Sequence, residues 1–580
     1  PGNCPKTSLV TGRYFTHQTG LPRMPVPPLQ QTCERYLSLL EPIVEVDELK
    51  RTKALVEEFQ KAGGVGERLQ RCLEIRAQNT DNWNTRYVLH IDYTGNRKPV
   101  VVYSNVGTTF PRQDFRDKQG QTRSASIDRA CMFCSETLPV EYMGGNPLCM
   151  KQYSQLLSSC RIPGPEVDSV VYHAKSSNPP KHMTVVHNSQ FFVLEVYNSD
   201  GTPLTVDQLY VQLEKICNSS PESDAEPVGL LTTMDRDSWS KAFISLIKDK
   251  TNEESLSSIE RSICTVCLDG PMPIASDESG VLRVLHGGGS EWNSANRWFD
   301  KTLQLIVGED GTLGCNLSHA KAKKNIFKKK IKMYINHIIH TCNKTEICQD
   351  ILAQDLDVSV MVFNHFGKNV LKAHKMSPDA FIQMAIQLAY YRMYQRCCAS
   401  YEAASLRTFR DGRVATISTT TSASAAFIKA FDDPKKQVGK EKVYLLKEAI
   451  KVHRSNTNLA VSGQDVEGHL KVLALQAVEE KISMPDIFTD VSYHKFLDYR
   501  LSTSQVPSRA GCLPYAGPAT PNLYDMCYYH TSDKIIFVVT ACHSCKENNV
   551  AQLVQVLEDA MLDMRALLEE TREPTEANAY

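Results

Sequence analysis

The chain has 580 residues, with 65 Lys and Arg against 66 Asp and Glu, a formal net charge of −1. So balanced a charge argues against a partner held by bulk electrostatics, duplex nucleic acid above all. At 42% apolar and 23% charged residues the composition is that of a globular protein of several domains, and the longest apolar run, 535–542, falls short of the roughly 20 residues that span a bilayer, so a soluble protein with no transmembrane segment is expected.

The Pro-, Gly- and Thr-rich first 32 residues predict an extended arm. Helical periodicity follows from about Cys33 to Lys61, broken by Pro42 and stopped at Gly63-Gly64. From about 81 to 310, short β-rich runs (100–103, 183–186, 191–197) alternate with helical stretches such as 206–216, the pattern of α/β layers. The segment 321–332 holds seven lysines and no acid, and reads as a solvated face. Ser377-Pro378-Asp379 predicts a helix start, with Ser as N-cap, Pro at the first position and an acid facing the dipole. Phe381, Ala385, Leu388 and Met393 then form a core-facing stripe. Helices near 444–453 and 465–481, a strand at 534–540 and a helix over 549–568 complete the chain.

The 19 cysteines are odd in number and scattered. The pairs Cys131/Cys134, Cys264/Cys267 and Cys542/Cys545 lack the second pair, or the His-x₃₋₅-His, that zinc requires, so free thiols in a reducing compartment and no metal are expected. Sequons at Asn218, Asn316 and Asn343 carry little weight without a secretory signal, and the chain opens at Pro1 rather than Met, which leaves any targeting segment unread.

Three features point to a site for an anionic, phosphate-bearing ligand. Lys368 and Lys372 lie four apart ahead of the helix start at Ser377, where cations and free backbone N–H groups suit a phosphate. Ser502-Thr503-Ser504 closes a strand-like run. His319 falls in a turn after a strand at 303–307 and a Gly-Glu-Asp-Gly turn at 308–311.

Residues 299–311 (Phe-Asp-Lys-Thr-Leu-Gln-Leu-Ile-Val-Gly-Glu-Asp-Gly), 377–391, 401–407, Asp411-Gly412-Arg413 and 501–507 together resemble the choline/carnitine acyltransferases, over about residues 20–570. The wording at 24–31, 63–69, 136–142, 182–187 and 483–487 is nearest to the carnitine-acetylating members. The resemblance implies an α/β protein of two chloramphenicol-acetyltransferase-like domains with the active-site tunnel at their interface. Residues 1–80 would pack on the second domain, 81–334 would form the first and carry the catalytic histidine, and 335–580 would form the second.

The implied activity is transfer of an acetyl group between coenzyme A and the hydroxyl of carnitine, with choline or another cationic alcohol as the alternative, and a catalytically impaired coenzyme A binder as a further one. His319 would be the general base, with no acyl-enzyme, and Ser504 would hydrogen-bond the oxyanion. Lys368, Lys372, Asp379, Arg454 and Gln505 match the family's coenzyme A positions; Tyr93, Tyr401 and Ser502 match its acceptor pocket. Small-molecule substrates, a monomer, and a mitochondrial or peroxisomal compartment are implied in the same way.

The chain also departs from the family. The arginine that binds the carnitine carboxylate, in an Asp-Arg-His-Leu stretch, is replaced: this chain reads Glu467-Gly468-His469-Leu470. The pocket threonine is Val414, the pocket serine is Ala403, Asp92 replaces a small apolar residue, and two tryptophans are Tyr87 and Val88. Lys323 stands where the family has a Glu four residues after the histidine, the chain between His319 and Lys368 is shorter than the family pattern, and the text of 321–345 resembles nothing in it. Pro514, Ala516 and Ala519 replace larger residues near the acyl and ammonium pockets, which leaves the acyl length open. Losing a carboxylate's cation and gaining a nearby acid disfavours carnitine and leaves a trimethylammonium group unharmed.

Overall fold

The computed structural model describes residues 17–85, 93–112, 140–174, 176–220, 226–270, 276–318, 349–436, 438–506 and 511–571. Three helices open the described chain, Leu29–Leu40, Val46–Phe59 and Val65–Asn79. The first starts ahead of the expected Cys33, inside the stretch read as an extended arm. These helices pack Tyr36, Leu40, Val56, Phe59 and Leu69 against Leu470, Leu473, Ile487 and Phe488 from much later in the chain. Ion pairs Arg51–Asp490 and Lys495–Glu48 fix the contact at its rim.

The strands run in chain order as β1 (Asn105–Phe110), β2 (Tyr142–Met143), β3 (Asn146–Pro147), β4 (Ser159–Ile162), β5 (Ser169–Tyr172), β6 (His182–His187) and β7 (Gln190–Glu195). After these come β8 (Thr265–Asp269), β9 (Leu303–Gly308), β10 (Leu313–Ser318), β11 (Leu356–Phe363) and β12 (Ala399–Ser405). The last are β13 (Val414–Ser418), β14 (Tyr499–Gln505), β15 (Leu513–Ala516), β16 (Tyr524–His530) and β17 (Ile535–Cys542). Seven form one sheet, in the order β15-β1-β10-β9-β8-β6-β7, and six form a second, β11-β17-β16-β14-β12-β13. The protein is thus α/β with two sheet-centred halves.

Strand β15 belongs to the later half by sequence, yet it pairs antiparallel with β1 in the earlier sheet. One core cluster accordingly spans both halves, joining Val101, Val284 and Phe299 to Leu356, Tyr515 and Val538. The second sheet is covered by helices Pro378–Tyr394, Gly439–Val461 and Val550–Glu570. The Ser377 start is as the sequence predicts: its hydroxyl accepts from the Ala380 N–H, with Pro378 at the first helical position. The stripe reading is too narrow, because every residue from Ala380 to Tyr390 is buried between sheet and neighbouring helices.

Two local expectations are corrected. Residues 100–103 form a turn, not a strand; Tyr103 N–H donates to the Val101 carbonyl and Val102 has a φ of 70°. Val100, Val101 and Val102 are buried by loop packing, which an apolar run cannot distinguish from strand pairing. Strand β10 lies between the 308–311 turn and His319, where no strand was expected. Its buried face is Gly314, Asn316 and Ser318, inverse to the usual pattern. Asn316 is buried there because its amide donates to the carbonyls of Val284 and Leu285, 3.0 and 2.7 Å away, at the end of the helix Asp277–His286.

The β1–β15 contact leaves no room at Gly107. A Cβ there meets the Cys315 carbonyl oxygen at 2.5 Å and the Tyr515 hydroxyl at 2.5 Å. Gly107→Ala is expected to destabilise the protein by about 1–3 kcal/mol, the range for overpacking, read as a lower urea midpoint. An unchanged midpoint would show that β15 is not held against β1.

Candidate active site

The parallel strands β12, β14 and β16 place one residue each at the same level: Tyr401 pairs with Ser502, and Ser502 with Asp525. Alternation puts Ser504 and Cys527, themselves a registered pair, on the same face, and Glu402, Thr503 and Met526 on the opposite one. Ser502 Oγ donates to Asp525 Oδ2 at 2.6 Å, and the Tyr401 phenol contacts Ser502. Burial pushes the Asp525 carboxyl up to about 6, while the hydrogen bonds from Ser502 and Cys527 favour its ionised form. Burial raises the pKa of the Tyr401 phenol most, Asp525 next, and Tyr93 stands close enough to add a smaller rise. The Arg413 guanidinium lies 5.6 Å from the Tyr93 ring centroid. Tyr93 is itself fixed from below, because Arg161 donates to its carbonyl (2.8 Å) and buried Asp168 grips both Arg161 (2.5 Å) and Arg236 (2.6 Å). The three expected acceptor-site residues are therefore together.

The opposite face carries a polar network that the sequence reading missed. His453 Nε2 lies 3.3 Å from Glu402 Oε2 and 3.6 Å from Asp379 Oδ2, ion-pair separations. Tyr528 donates to Asp379 Oδ1 (2.7 Å), and Gln383 Nε2 donates to the Tyr528 hydroxyl (2.9 Å) and to Thr503 Oγ1 (3.0 Å). Thr503 in turn donates to the Tyr401 carbonyl at 2.7 Å. A chain of hydrogen bonds thus runs from Asp379 to the backbone of the acceptor-face tyrosine. Asp379, Glu402 and His453 bring ligand-type atoms within 4.8 Å of one another, the one such group among the described residues, and the imidazolium supplies its positive charge. Burial opposes that charge, but the two carboxylates outweigh it and raise His453 to about 9. Burial also raises Glu402, while hydrogen bonds from His453 and Tyr528 outweigh burial at Asp379 and hold it below the usual carboxylate range.

Lys368 and Lys372 lie on their own short helix, Lys368–Ala373, capped by Gly367, rather than in a loop ahead of Ser377. Neither has an ion-pair partner among the described residues. Both depress the pKa of His530, after burial, and Gln505 Nε2 lies 2.8 Å from His530 Nε2. Lys368, Lys372, Gln505 and Asp379 are thereby gathered around His530. The field there suits a phosphate-bearing ligand. Arg454 is exposed on the helix Gly439–Val461, one residue beyond His453, and no described contact ties it to the lysines.

His319 and Lys323 lie outside the described residues, as do Asp92, Tyr87 and Val88. The residue before His319 is Ser318, buried at the end of β10 and paired with Asn105. The Asn105 carbonyl accepts from Gly517, and the neighbouring Ala516 carbonyl accepts from Thr540 Oγ1, whose residue pairs with Asp525. The end of β10 thus connects across β1 and β15 to the row that carries Ser502.

The model of the choline/carnitine O-acyltransferase family matches residues 24–326 and 321–559. The chain belongs to this family. The carnitine O-acetyltransferases of Columba livia and Homo sapiens are each 49% identical, covering 97% and 96% of this chain and 95% of theirs. The choline O-acetyltransferase of Homo sapiens is 36% identical over 95% of this chain and 80% of its own. The two stretches of the family match meet at 321–326, inside the lysine-rich segment. Among the described residues no helix is long and apolar enough to cross a membrane, and the described cysteines are free thiols.

Gly468 is more than a missing side chain. It sits in the first turn of the helix Val466–Glu479, where its N–H donates to the cap residue Asp465 (2.9 Å). A Cβ at 468 meets Asp465 Oδ2 at 2.5 Å and Asn84 Nδ2 at 3.1 Å, so an arginine there displaces the cap. Val414 is 49% exposed at the start of β13.

His453 is raised from 6.5 to about 9, so its charge stabilises the fold fully below pH 6.5 and ceases to do so as pH rises through about 9. Wild type is expected to lose up to about 3 kcal/mol across that window relative to His453→Gln, read by urea unfolding at a series of pH values. Parallel pH dependence in the two proteins would remove the imidazolium from this account.

Proposed function

We propose that the protein transfers an acetyl group between the thiol of coenzyme A and the hydroxyl of carnitine. The observation that carries this reading is the similarity to carnitine O-acetyltransferases along almost the whole chain. In this reading Lys368 and Lys372 hold phosphates of coenzyme A, supported by their lack of acidic partners among the described residues, and Asp379, Gln505 and Arg454 hold the rest. The thioester supplies an activated acyl carbonyl. His319 takes the proton of the acceptor hydroxyl, which frees an oxygen lone pair to form the new C–O bond. Ser504 donates to the carbonyl oxygen as it gains charge, which stabilises the tetrahedral state. The imidazolium then returns its proton to the sulfur as the C–S bond breaks, and no acyl-enzyme forms. Tyr93, Tyr401 and Ser502 shape the acceptor pocket.

A second reading, choline or another cationic alcohol without a carboxylate as acceptor, is favoured by Gly468, where the cap carboxylate of Asp465 takes the space of a cationic side chain. We keep the division into 1–80, 81–334 and 335–580, with β15 reaching across it, and take the enzyme to be a monomer of the mitochondrion or peroxisome.

Thiol release from acetyl-coenzyme A, measured with carnitine, with choline and with neither, is expected to depend on the added alcohol; release with no acceptor above the blank overturns the reading. His319→Ala is expected to lower the rate about 10²–10⁴-fold with coenzyme A affinity preserved. Lys368→Ala and Lys372→Ala are each expected to weaken coenzyme A binding by about 1–3 kcal/mol in calorimetric titration, and more at low salt. Wild-type affinity in the double variant would move the phosphates elsewhere.

A further inference from the structure

We propose that Asp525 is a specificity-determining residue, whose carboxylate, held by Ser502, biases the acceptor pocket toward cationic alcohols that carry no carboxylate of their own. The inference rests on reading Tyr401 and Ser502 as the acceptor pocket. Asp525 sits level with both on the same face of the second sheet and is 8% exposed. No Lys, Arg or His among the described residues pairs with it; its contacts are the hydroxyl of Ser502 at 2.6 Å and the weak donor Cys527 Sγ at 3.8 Å. An anion buried without a cation is costly, and an incoming cation relieves that cost.

Ser502 has one hydroxyl proton, and Asp525 Oδ2 receives it. The hydroxyl therefore has no hydrogen to offer a substrate carboxylate, and such a group approaching Ser502 meets a like charge beside it. A trimethylammonium group meets the reverse: a carboxylate and the face of Tyr401, both of which attract it. The Arg413 guanidinium does not cancel the asymmetry, because it lies over the Tyr93 ring and makes no ion pair with Asp525. Carnitine, with both charges, binds against a penalty that choline escapes.

The test compares wild type with Asp525→Asn and Asp525→Gly on three acceptors: choline, carnitine, and 3,3-dimethylbutan-1-ol, in which carbon replaces the choline nitrogen. Affinities come from calorimetry with coenzyme A present, and kcat/KM from thiol release. In Asp525→Asn the ratio of kcat/KM for choline to that for carnitine is expected to fall about 10–100-fold from its wild-type value, whichever acceptor wild type favours, while the uncharged alcohol is unaffected. Equal losses for choline and the uncharged alcohol mean a structural role, and an unchanged choline-to-carnitine ratio removes Asp525 from selectivity; either overturns the proposal. Wild type alone also decides: equal affinity for choline and its uncharged analogue overturns it even if neither variant folds. Absence of turnover with every acceptor overturns acetyl transfer instead, and leaves the calorimetric contrast to judge Asp525.

Discussion

Strand β15 hydrogen-bonds along β1 although the two are separated by some 400 residues of chain, and the arrangement of the active site depends on that pairing. Residue 107 must be glycine for Tyr515 to lie against the strand, and Gly517 and Ala516 then reach the Asn105 carbonyl and the Thr540 hydroxyl. Through these contacts the end of the earlier sheet meets the middle of the later one. A slip of one residue between β1 and β15 turns Tyr515 to the other face and parts the two halves.

The second sheet uses its two faces for different tasks. On one, Tyr401, Ser502 and Asp525 stand level, and Asp525 has no cationic partner among the described residues. On the other, Glu402, Thr503 and Tyr528 engage His453, Asp379 and Gln383 from the covering helices. Because consecutive residues of one strand serve opposite faces, Thr503 ties the two together: its hydroxyl accepts from Gln383 and donates to the Tyr401 carbonyl. A change in the charge of the His453 group reaches the acceptor strand through bonds already formed.

The departures from the family share an electrostatic direction. Gly468 stands where the family has a cation, and the Asp465 cap fills the space beside it; the Asp525 carboxyl at the hydroxyl of Ser502 points the same way. In the proposed reading both disfavour a carboxylate on the acceptor and leave its cation favoured. The residues proposed for coenzyme A show no such change, with Lys368, Lys372, Gln505 and Asp379 near His530.

Local chemistry made part of this legible without coordinates. Ser377-Pro378-Asp379 starts a helix because its cap, its fixed φ and its dipole partner are all contained in three residues, and the motifs around Ser502 and Tyr401 were sufficient to identify the family. Other features escaped for reasons equally physical. Strand β10 buries Gly, Asn and Ser, and the buried amide of Asn316 is explained only by the helix end it caps. The run 100–103 is apolar because a loop is buried under two halves at once. Asp525 did leave a trace, as a lone acid in the apolar stretch 523–529, but its partner Ser502 stands 23 residues away. Sequence by itself determined the family and the α/β class, since those rest on short-range pattern. Only the tertiary structure decided which side chains share a face, which carboxylate lacks a cation and where a Cβ has no room, because register and burial are set by strands and helices that meet from distant parts of the chain.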